Sequence, residues 1–222
     1  MKKKTFLSKT ELPKTIKDFI NDNSLERFRY INDYHRSGDI IVNIDNKYIL
    51  KISNNPMALI REKKANDYLN GKVKVSKSII HEEYNGKGYY LKTCVKGFPL
   101  CSPKYLKKPE LVVDLLAEAI NIIHSIKIND CDYFSPEYIR EDCTKEVYVH
   151  GDCCLPNILI YRNKVSGFID MEGSGIGEPW IDYSWALWSL GYNLETDKYN
   201  DLFLKKLNVR FDELKYKKYV PY

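Results

Sequence analysis

His150-Gly151-Asp152-Cys153-Cys154-Leu155-Pro156-Asn157 is the centre of the most informative stretch of this chain. It places an aspartate five residues before an asparagine, and the next apolar run ends in a second aspartate, Asp170. An Asp-x4-Asn pair followed by a later Asp is the spacing at which a kinase catalytic loop carries its base and its metal ligands. The stretch therefore predicts a phosphoryl-transfer site, with Asp152 as catalytic base and with Asn157 and Asp170 as metal ligands.

A short hairpin connects these residues in the prediction. An apolar run over 158–161 leaves the loop, a turn follows at 162–164, and a second run over 165–169 returns. If Tyr161 pairs with Val165, Asn157 pairs with Ile169, so that Asn157 and Asp170 lie at one end of the hairpin. Two such oxygen ligands suit Mg²⁺, which keeps water and phosphate oxygens in its other positions.

Composition excludes several other classes of protein. At 222 residues and 44% hydrophobic content, the chain can form one domain or two small lobes. It has no apolar run of membrane-spanning length, and its basic start lacks the apolar segment of a signal peptide. The net charge of +5 is spread along the chain, so nucleic-acid binding is a weak hypothesis. The six cysteines show no CxxC pair, which favours reduced thiols and a cytoplasmic location.

The first half of the chain contains a lysine and a glutamate that are predicted to form a pair. Two β-type runs, 39–44 and 47–52, flank a tight turn at Asp45-Asn46, and pairing 44 with 47 puts Lys51 opposite Ile40. A helix over 56–69 carries Glu62 on its apolar stripe. An acid that points inward needs a partner, and Lys51 is the predicted one. The alternative, Glu62 at the edge of the stripe in water, is equally compatible with the sequence.

The order of elements predicts the architecture. Strands at 79–84 and 88–95 follow the first helix, Gly97-Phe98-Pro99 is a connector, and 109–126 has the periodicity of an amphipathic helix. We therefore predict an α+β fold of two lobes: residues 1–95 form a small antiparallel-sheet lobe that binds the nucleotide, and residues 96–222 form a mostly helical lobe that carries the catalytic and acceptor-binding residues. In this prediction Lys51, held by Glu62, binds the α- and β-phosphates, and Ser37-Gly38 closes over the phosphate tail.

Together these motifs resemble the aminoglycoside phosphotransferase family, which has a protein-kinase-like bilobal fold, and they are most similar to the aminoglycoside 3′-phosphotransferases. The similarity covers nearly the whole chain, and it includes the stretches 61–63, 97–102, 124–131 and 164–170. The resemblance implies a hinge at 92–95, including Thr93 and Val95, whose backbone contacts the adenine, with Ile49 against the ring. It also implies that Ser37 is the nucleotide-loop serine and that Asp182 braces the catalytic loop.

The sequence also departs from the family. The segment between His124 and His150 is shorter than the acidic helical segment that lines the drug pocket in antibiotic-modifying members. The C-terminal tail is basic, and Glu172-Gly173 stands where the 3′-enzymes have Gly-Arg. These departures concern the acceptor and leave the nucleotide-binding motifs intact.

The expected function is transfer of the γ-phosphoryl group of ATP (or GTP), with Mg²⁺, to a hydroxyl of a small molecule. An aminoglycoside is the first choice, because aminoglycosides are polycations and the 129–149 segment is acidic. One alternative is a kinase of another small alcohol, such as a sugar, an amino alcohol or a different antibiotic. A second is a nucleotide-binding protein without catalysis. A cysteine nucleophile at 153–154 is a further, weaker hypothesis. Neither a nucleic-acid nor a membrane partner is expected.

Overall fold

A computed structural model of the chain describes residues 1–31, 39–138 and 146–221. The chain divides into two compact units, Met1–Asp67 with Ser76–Cys94 and Tyr68–Val75 with Val95–Tyr222. The predicted boundary at residue 95 placed 68–75 in the first lobe, whereas the structure groups 68–75 with the second unit. Backbone and ring contacts hold the segment to the second unit: Phe168 donates its N–H to the Lys74 carbonyl at 2.9 Å, and the Tyr68 ring stacks on Tyr148 at 5.4 Å.

The first unit is an antiparallel sheet with three helices. Its strands lie in the order β1-β2-β3-β5-β4, and every neighbouring pair is antiparallel. An apolar cluster from the first two helices and the sheet forms its core. Its elements are α1 (Lys3–Lys9), α2 (Lys14–Asp22), β1 (Phe28–Tyr30), β2 (Ile40–Ile44), β3 (Tyr48–Ser53), α3 (Pro56–Leu69), β4 (Ser78–Tyr84) and β5 (Lys87–Thr93).

The β2–β3 hairpin corrects one predicted register. Its turn has three residues instead of two, with Asp45 and Asn46 at φ 54° and 56°. Ile44 consequently pairs with Tyr48, and Lys51 lies opposite Ile41, one residue from the predicted partner. Asp and Asn tolerate the left-handed region that such turns require, so the site of the turn was predictable although its length was not.

The second unit is mostly helical and contains two small sheets. One sheet has the strand order β6-β8-β9, and the other pairs β7 with β10. Its elements are β6 (Phe98–Pro99), α4 (Pro103–Leu106), α5 (Pro109–His124), β7 (Val147–Val149), β8 (Ile158–Tyr161), β9 (Lys164–Phe168), β10 (Gly175–Gly177), α6 (Pro179–Leu194), α7 (Asn200–Leu207) and α8 (Glu213–Tyr219). Within the described parts of the chain, every helix is too short or too polar to cross a membrane.

In the β8–β9 hairpin, the register near the turn differs from the prediction, whereas the pairing at the open end agrees with it. Its turn is the two-residue Arg162-Asn163, both at positive φ, so Tyr161 pairs with Lys164 and not with Val165. A bulge between Leu159 and Ile160 then shifts the register back. As a result, Ile169 donates its N–H to the Asn157 carbonyl at 3.1 Å, which is the predicted neighbour relation at the hairpin's open end.

Candidate active site

Asp182 fixes the backbone of the loop that carries Asp152. Its carboxylate is completely buried in the first turn of α6 and accepts the N–H groups of His150 and Gly151, both at 2.9 Å and each on a different oxygen. A third contact comes from His124 at the end of α5, whose Nε2 lies 2.9 Å from Oδ2. Charged acceptors of backbone N–H groups are among the stronger hydrogen bonds in proteins, so this loop is held rigidly at its start.

Gly151 allows the loop to pack closely on the segment after Asp170. Its φ is +83°, and a Cβ at this position would overlap the Gly173 carbonyl group. Only glycine meets both conditions without strain. The close approach of Gly151 to Gly173 brings the segments that carry Asp152 and Asp170 together.

Asn157 contacts Asp152 directly. The loop ends in a single 3-10 turn, Leu155–Asn157, and the side-chain amide of Asn157 donates to the Asp152 carbonyl at 3.0 Å and to its Oδ2 at 2.9 Å. Because the side-chain nitrogen donates to Asp152, Oδ1 is the side-chain atom with which Asn157 can bind a metal. The structure therefore brings the predicted base and the predicted amide ligand into contact.

The Asp152 carboxyl group is incompletely compensated. Among the described residues, no hydrogen-bond partner reaches its buried Oδ1. Burial raises the pKa of Asp152, and the negative charge of Asp170 raises it further, despite hydrogen bonds from Cys154 and Asn157 that lower it. A cation or a hydroxyl donor placed here would stabilise the ionised carboxylate.

These residues fit a hard divalent cation. Asp170 is held in the left-handed region at φ 62°, ψ 53°, at the end of β9 and before a 3-10 turn, and its charge acts on Asp152. Two mutually repelling carboxylates beside an amide oxygen are the type of donor set that Mg²⁺ binds. Over residues 1–31, 39–138 and 146–221, no group of three or more His, Cys, Asp or Glu is placed to hold a metal. A cation here would therefore also need oxygen atoms from a ligand or from water.

The first unit holds a second buried charged cluster. Glu62 on α3 is completely buried, which decides between the two alternatives left by the sequence. Its Oε2 lies 3.4 Å from the Lys51 Nζ, so the predicted pair is present. Its Oε1 accepts a hydrogen bond from the ammonium group of Lys92, on β5. Both lysines are themselves buried.

The other residues predicted to bind the nucleotide differ in the unit to which they belong and in whether the structure describes them. Ile49 is half-buried on β3, and Thr93 ends β5, where its Oγ1 accepts the Lys77 N–H at 2.8 Å. Val95 is half-buried and already belongs to the second unit, so the predicted hinge at 92–95 crosses the division between the units. Ser37 lies outside the described residues.

Two residues of these clusters were not predicted. Lys92 was expected to contribute only backbone, although a lysine inside the otherwise apolar and aromatic run 89–92 is a signal of a buried partner. No contact was predicted for His124, and its contact with Asp182 spans 58 residues of sequence. The spacing of motifs contains no information about such distant contacts.

The adjacent cysteines pack inside the loop. Cys153 and Cys154 are buried free thiols, and burial raises the pKa of both well above the ordinary value. A thiol that is harder to ionise is a poorer nucleophile at neutral pH. This argues against the cysteine-nucleophile hypothesis and favours Asp152 as the reactive group of the loop.

Comparison with solved structures confirms the predicted class of fold. An aminoglycoside phosphotransferase, APH(3'')-Id from Streptomyces rimosus, matches with a TM-score of 0.74 at 15% identity, over 92% of this chain and 94% of that chain. The aminoglycoside-3'-phosphotransferase of type VIII matches with a TM-score of 0.72 at 14% identity, over 93% and 97%. The chain therefore has the α+β, kinase-like fold of these phosphotransferases.

Sequence comparison confirms the resemblance to the family. The profile of the phosphotransferase enzyme family matches residues 139–219, which include the whole catalytic loop and Asp182. A probable aminoglycoside 3'-phosphotransferase of Lactococcus lactis is 28% identical over 199 residues, covering 72% of this chain and 76% of that protein. The aminoglycoside 3'-phosphotransferase of Niallia circulans is 29% identical over 175 residues, covering 62% and 67%. The chain resembles the aminoglycoside phosphotransferases, as its motifs predicted.

Proposed function

We propose that this chain transfers the γ-phosphoryl group of ATP or GTP to a hydroxyl of a small molecule, and that an aminoglycoside antibiotic is the acceptor. The class of enzyme, a small-molecule phosphotransferase, agrees with the relatives at 28–29% identity. The observation that carries the proposal is the Asp152 carboxylate, which has a buried Oδ1, contacts Asn157 and feels the charge of Asp170. A carboxylate placed in this way can orient a hydroxyl for phosphorylation. We also propose a cytoplasmic location for the chain.

The chemistry at Asp152 is proton acceptance and orientation. The carboxylate accepts a hydrogen bond from the acceptor hydroxyl and directs its oxygen toward the phosphorus for in-line attack. Since Asn157 donates to Oδ2, the second oxygen, Oδ1, is the atom assigned to the substrate hydroxyl. Asp182 and His124 keep the loop backbone in place while the proton moves.

The proposal assigns nucleotide-binding roles to individual residues. Asp170 and the Oδ1 of Asn157 would hold Mg²⁺, which supplies neutralisation of the phosphate charge. Lys51, oriented by Glu62, binds the α- and β-phosphates. Ile49, Thr93 and Val95 are assigned to the nucleobase, and Ser37 to the phosphate tail. Solved relatives at low identity contain ADP with streptomycin and AMP-PNP with hygromycin B, which supports a nucleotide co-substrate.

Support for a cationic acceptor comes from Glu137. Partial burial of its carboxyl group raises the pKa of Glu137, and the charges of Asp152 and Asp182 raise it further, while the hydrogen bond from the Trp185 indole lowers it. Glu137 is therefore close enough to Asp152 for their charges to interact, and an ammonium group of an acceptor would relieve this repulsion. Asp130 of the same segment contributes less, since it is paired with Lys72 at 3.0 Å.

One observation favours the second candidate, a kinase of a less cationic small alcohol. Beyond Trp185, α6 presents a stripe of aromatic rings, with Trp188 stacked on Tyr192 at 5.4 Å and Tyr192 69% exposed. Aromatic faces bind the apolar faces of sugars without demanding positive charge. The acceptor screen below separates this candidate from the first.

The test is nucleotide turnover with a panel of acceptors. The purified chain is incubated with ATP or GTP and Mg²⁺ in the presence of kanamycin, streptomycin, hygromycin B, a neutral sugar or an amino alcohol, and the phosphorylated product is detected by mass spectrometry. We expect product with at least one aminoglycoside. Product only with the neutral sugar or the amino alcohol would favour the second candidate, and nucleotide binding without any product would indicate a catalytically silent relative.

A further inference from the structure

Glu62 is shared between two lysines that approach it from two strands. One oxygen contacts the Lys51 ammonium group and the other contacts the Lys92 ammonium group. The Glu62 side chain has no solvent exposure, and each lysine side chain is 6% exposed. The family resemblance assigns a role to Lys51 and Glu62 only, so the side chain of Lys92 has no assigned purpose.

The sheet register explains how both lysines reach one carboxylate. In the β3–β5 pair, Lys51 lies opposite Tyr90, and Ile49 lies opposite Lys92. Directly opposed residues of an antiparallel pair point to the same face, so Lys51 and Lys92 are diagonal neighbours on one face. Helix α3 covers this face, because its Asn66 donates to the Tyr90 hydroxyl at 3.0 Å one turn after Glu62. The cluster is therefore built by three elements and does not depend on a flexible loop.

A phosphate-binding lysine places conflicting demands on its carboxylate partner. Glu62 has to orient the Lys51 ammonium group, and the same group has to form hydrogen bonds with phosphate oxygens. A buried carboxylate with Lys51 as its sole cation would lose compensation as the phosphates draw that cation away. A second lysine that stays on Glu62 removes this conflict, because the carboxylate keeps a full charge partner during nucleotide binding.

We propose that Lys92 is a positioning residue of the nucleotide site: it anchors Glu62 so that Glu62 can orient Lys51 toward the phosphates. This inference rests on the proposed function and extends it to a residue outside the predicted site. Lys92 acts through Glu62 and not by contact with the nucleotide. A purely structural lysine would stabilise the fold without affecting how the site distinguishes phosphorylated from unphosphorylated ligands.

The experiment compares binding of ATP and adenosine by calorimetry, which needs no acceptor and no turnover. In Lys92→Met, we expect ATP affinity to fall roughly tenfold, within the range of coupling between residues in contact, while adenosine affinity stays unchanged. Lys92→Arg keeps the positive charge and should recover most of the ATP affinity. Lys17→Met, at an exposed lysine of α2 in the same unit, is the matched control and should bind as the unmodified chain does.

A double-variant cycle tests the route through Glu62. In the Glu62→Gln background, the Lys92→Met substitution should add little further loss of ATP affinity, because the group it orients is already changed. An undiminished tenfold loss in that background would show direct contact with the nucleotide and overturn the proposal. Equal losses for ATP and adenosine in Lys92→Met, or no loss for either, would also overturn it, leaving a structural role.

The experiment also separates failure of this inference from failure of the proposed function. If Lys92→Met does not fold, Lys92→Gln, which can still donate a hydrogen bond to Glu62, carries the same prediction with a smaller loss. If the unmodified chain binds neither ATP nor GTP, the proposed function and this inference are both overturned. If it binds ATP but Lys92→Met or Lys92→Gln binds ATP equally well, the inference alone fails.

Discussion

Glu62 in the first unit and Asp152 in the second are carboxylates with buried oxygen atoms, and they are held in opposite ways. Glu62 has an ammonium group at each oxygen. Asp152 has the charge of Asp170 nearby, and the described residues offer no partner for its Oδ1. A compensated carboxylate orients its neighbours and supports the fold, whereas an under-compensated one gains stability when a cation or hydroxyl arrives. The difference identifies Glu62 as a scaffold group and Asp152 as a reactive one.

Glu62→Gln should cause the largest loss of stability. The substitution leaves two buried ammonium groups without their carboxylate, and breaking a buried charge pair costs about 3–5 kcal/mol. Urea unfolding would measure the loss, with Glu83→Gln, at an exposed position on β4, as the control. Equal stability of the two variants would show that Glu62 does not hold the cluster together.

Asp170→Asn should reduce turnover and leave the backbone intact. Asparagine tolerates the left-handed conformation of this position, so the change removes only a charge. Since a metal ion contributes several kcal/mol to stabilising the transition state, turnover should fall at least about 100-fold at low Mg²⁺. Higher Mg²⁺ should restore part of it. Turnover equal to that of Asp201→Asn, an exposed control on α7, would exclude Asp170 as a ligand.

Asp182→Asn tests whether the loop backbone depends on one carboxylate. An amide has a single acceptor oxygen, whereas Asp182 uses two oxygens for the N–H groups of His150 and Gly151. One buried N–H loses its acceptor, at a cost of about 1–3 kcal/mol. Urea unfolding measures this loss, and faster hydrogen exchange at Gly151 would locate it. Unchanged exchange at both amides would contradict the assignment of Asp182 as the brace.

Removal of the Cys154 thiol should have the smallest effect. Because burial raises the pKa of this thiol, its thiolate is populated only above the pH at which an ordinary cysteine ionises. Cys154→Ala should therefore change turnover by a few-fold at most, since it removes one hydrogen bond from a weak thiol donor. Alkylation of Cys154 in the native chain should be slow at pH 7 and accelerate with rising pH. Abolished turnover in Cys154→Ala would revive the nucleophile hypothesis.

Local features of this fold were predictable from the sequence and distant contacts were not. The helix Pro56–Leu69 begins and ends where predicted, because Pro56 marks its start and Asn70-Gly71 marks its end. The contact of Asn157 with Asp152 follows from a five-residue spacing. The hairpin registers were wrong by one residue, because turn length and bulges depend on packing that periodicity does not encode.

Long-range partners account for most of what was missed. Lys92 reaches Glu62 across 30 residues, and His124 reaches Asp182 across 58. Such pairs arise from the register of strands and the packing of helices. Neither of these can be read from the spacing of motifs in a single sequence. The roles of the predicted site residues in nucleotide binding and catalysis stay predictions until the variants are measured.

Asp152→Asn shows whether Asp152 is the catalytic base, when turnover and thermal unfolding are measured on the same preparation. We expect turnover to fall roughly 10²- to 10⁴-fold with ATP affinity unchanged. Because the folded-state pKa of Asp152 is raised, its contribution to stability is present at low pH and lost as the pH rises through that pKa, so the neutral amide should not lower the unfolding midpoint at pH 7 without divalent cations. Normal turnover in Asp152→Asn would contradict the account.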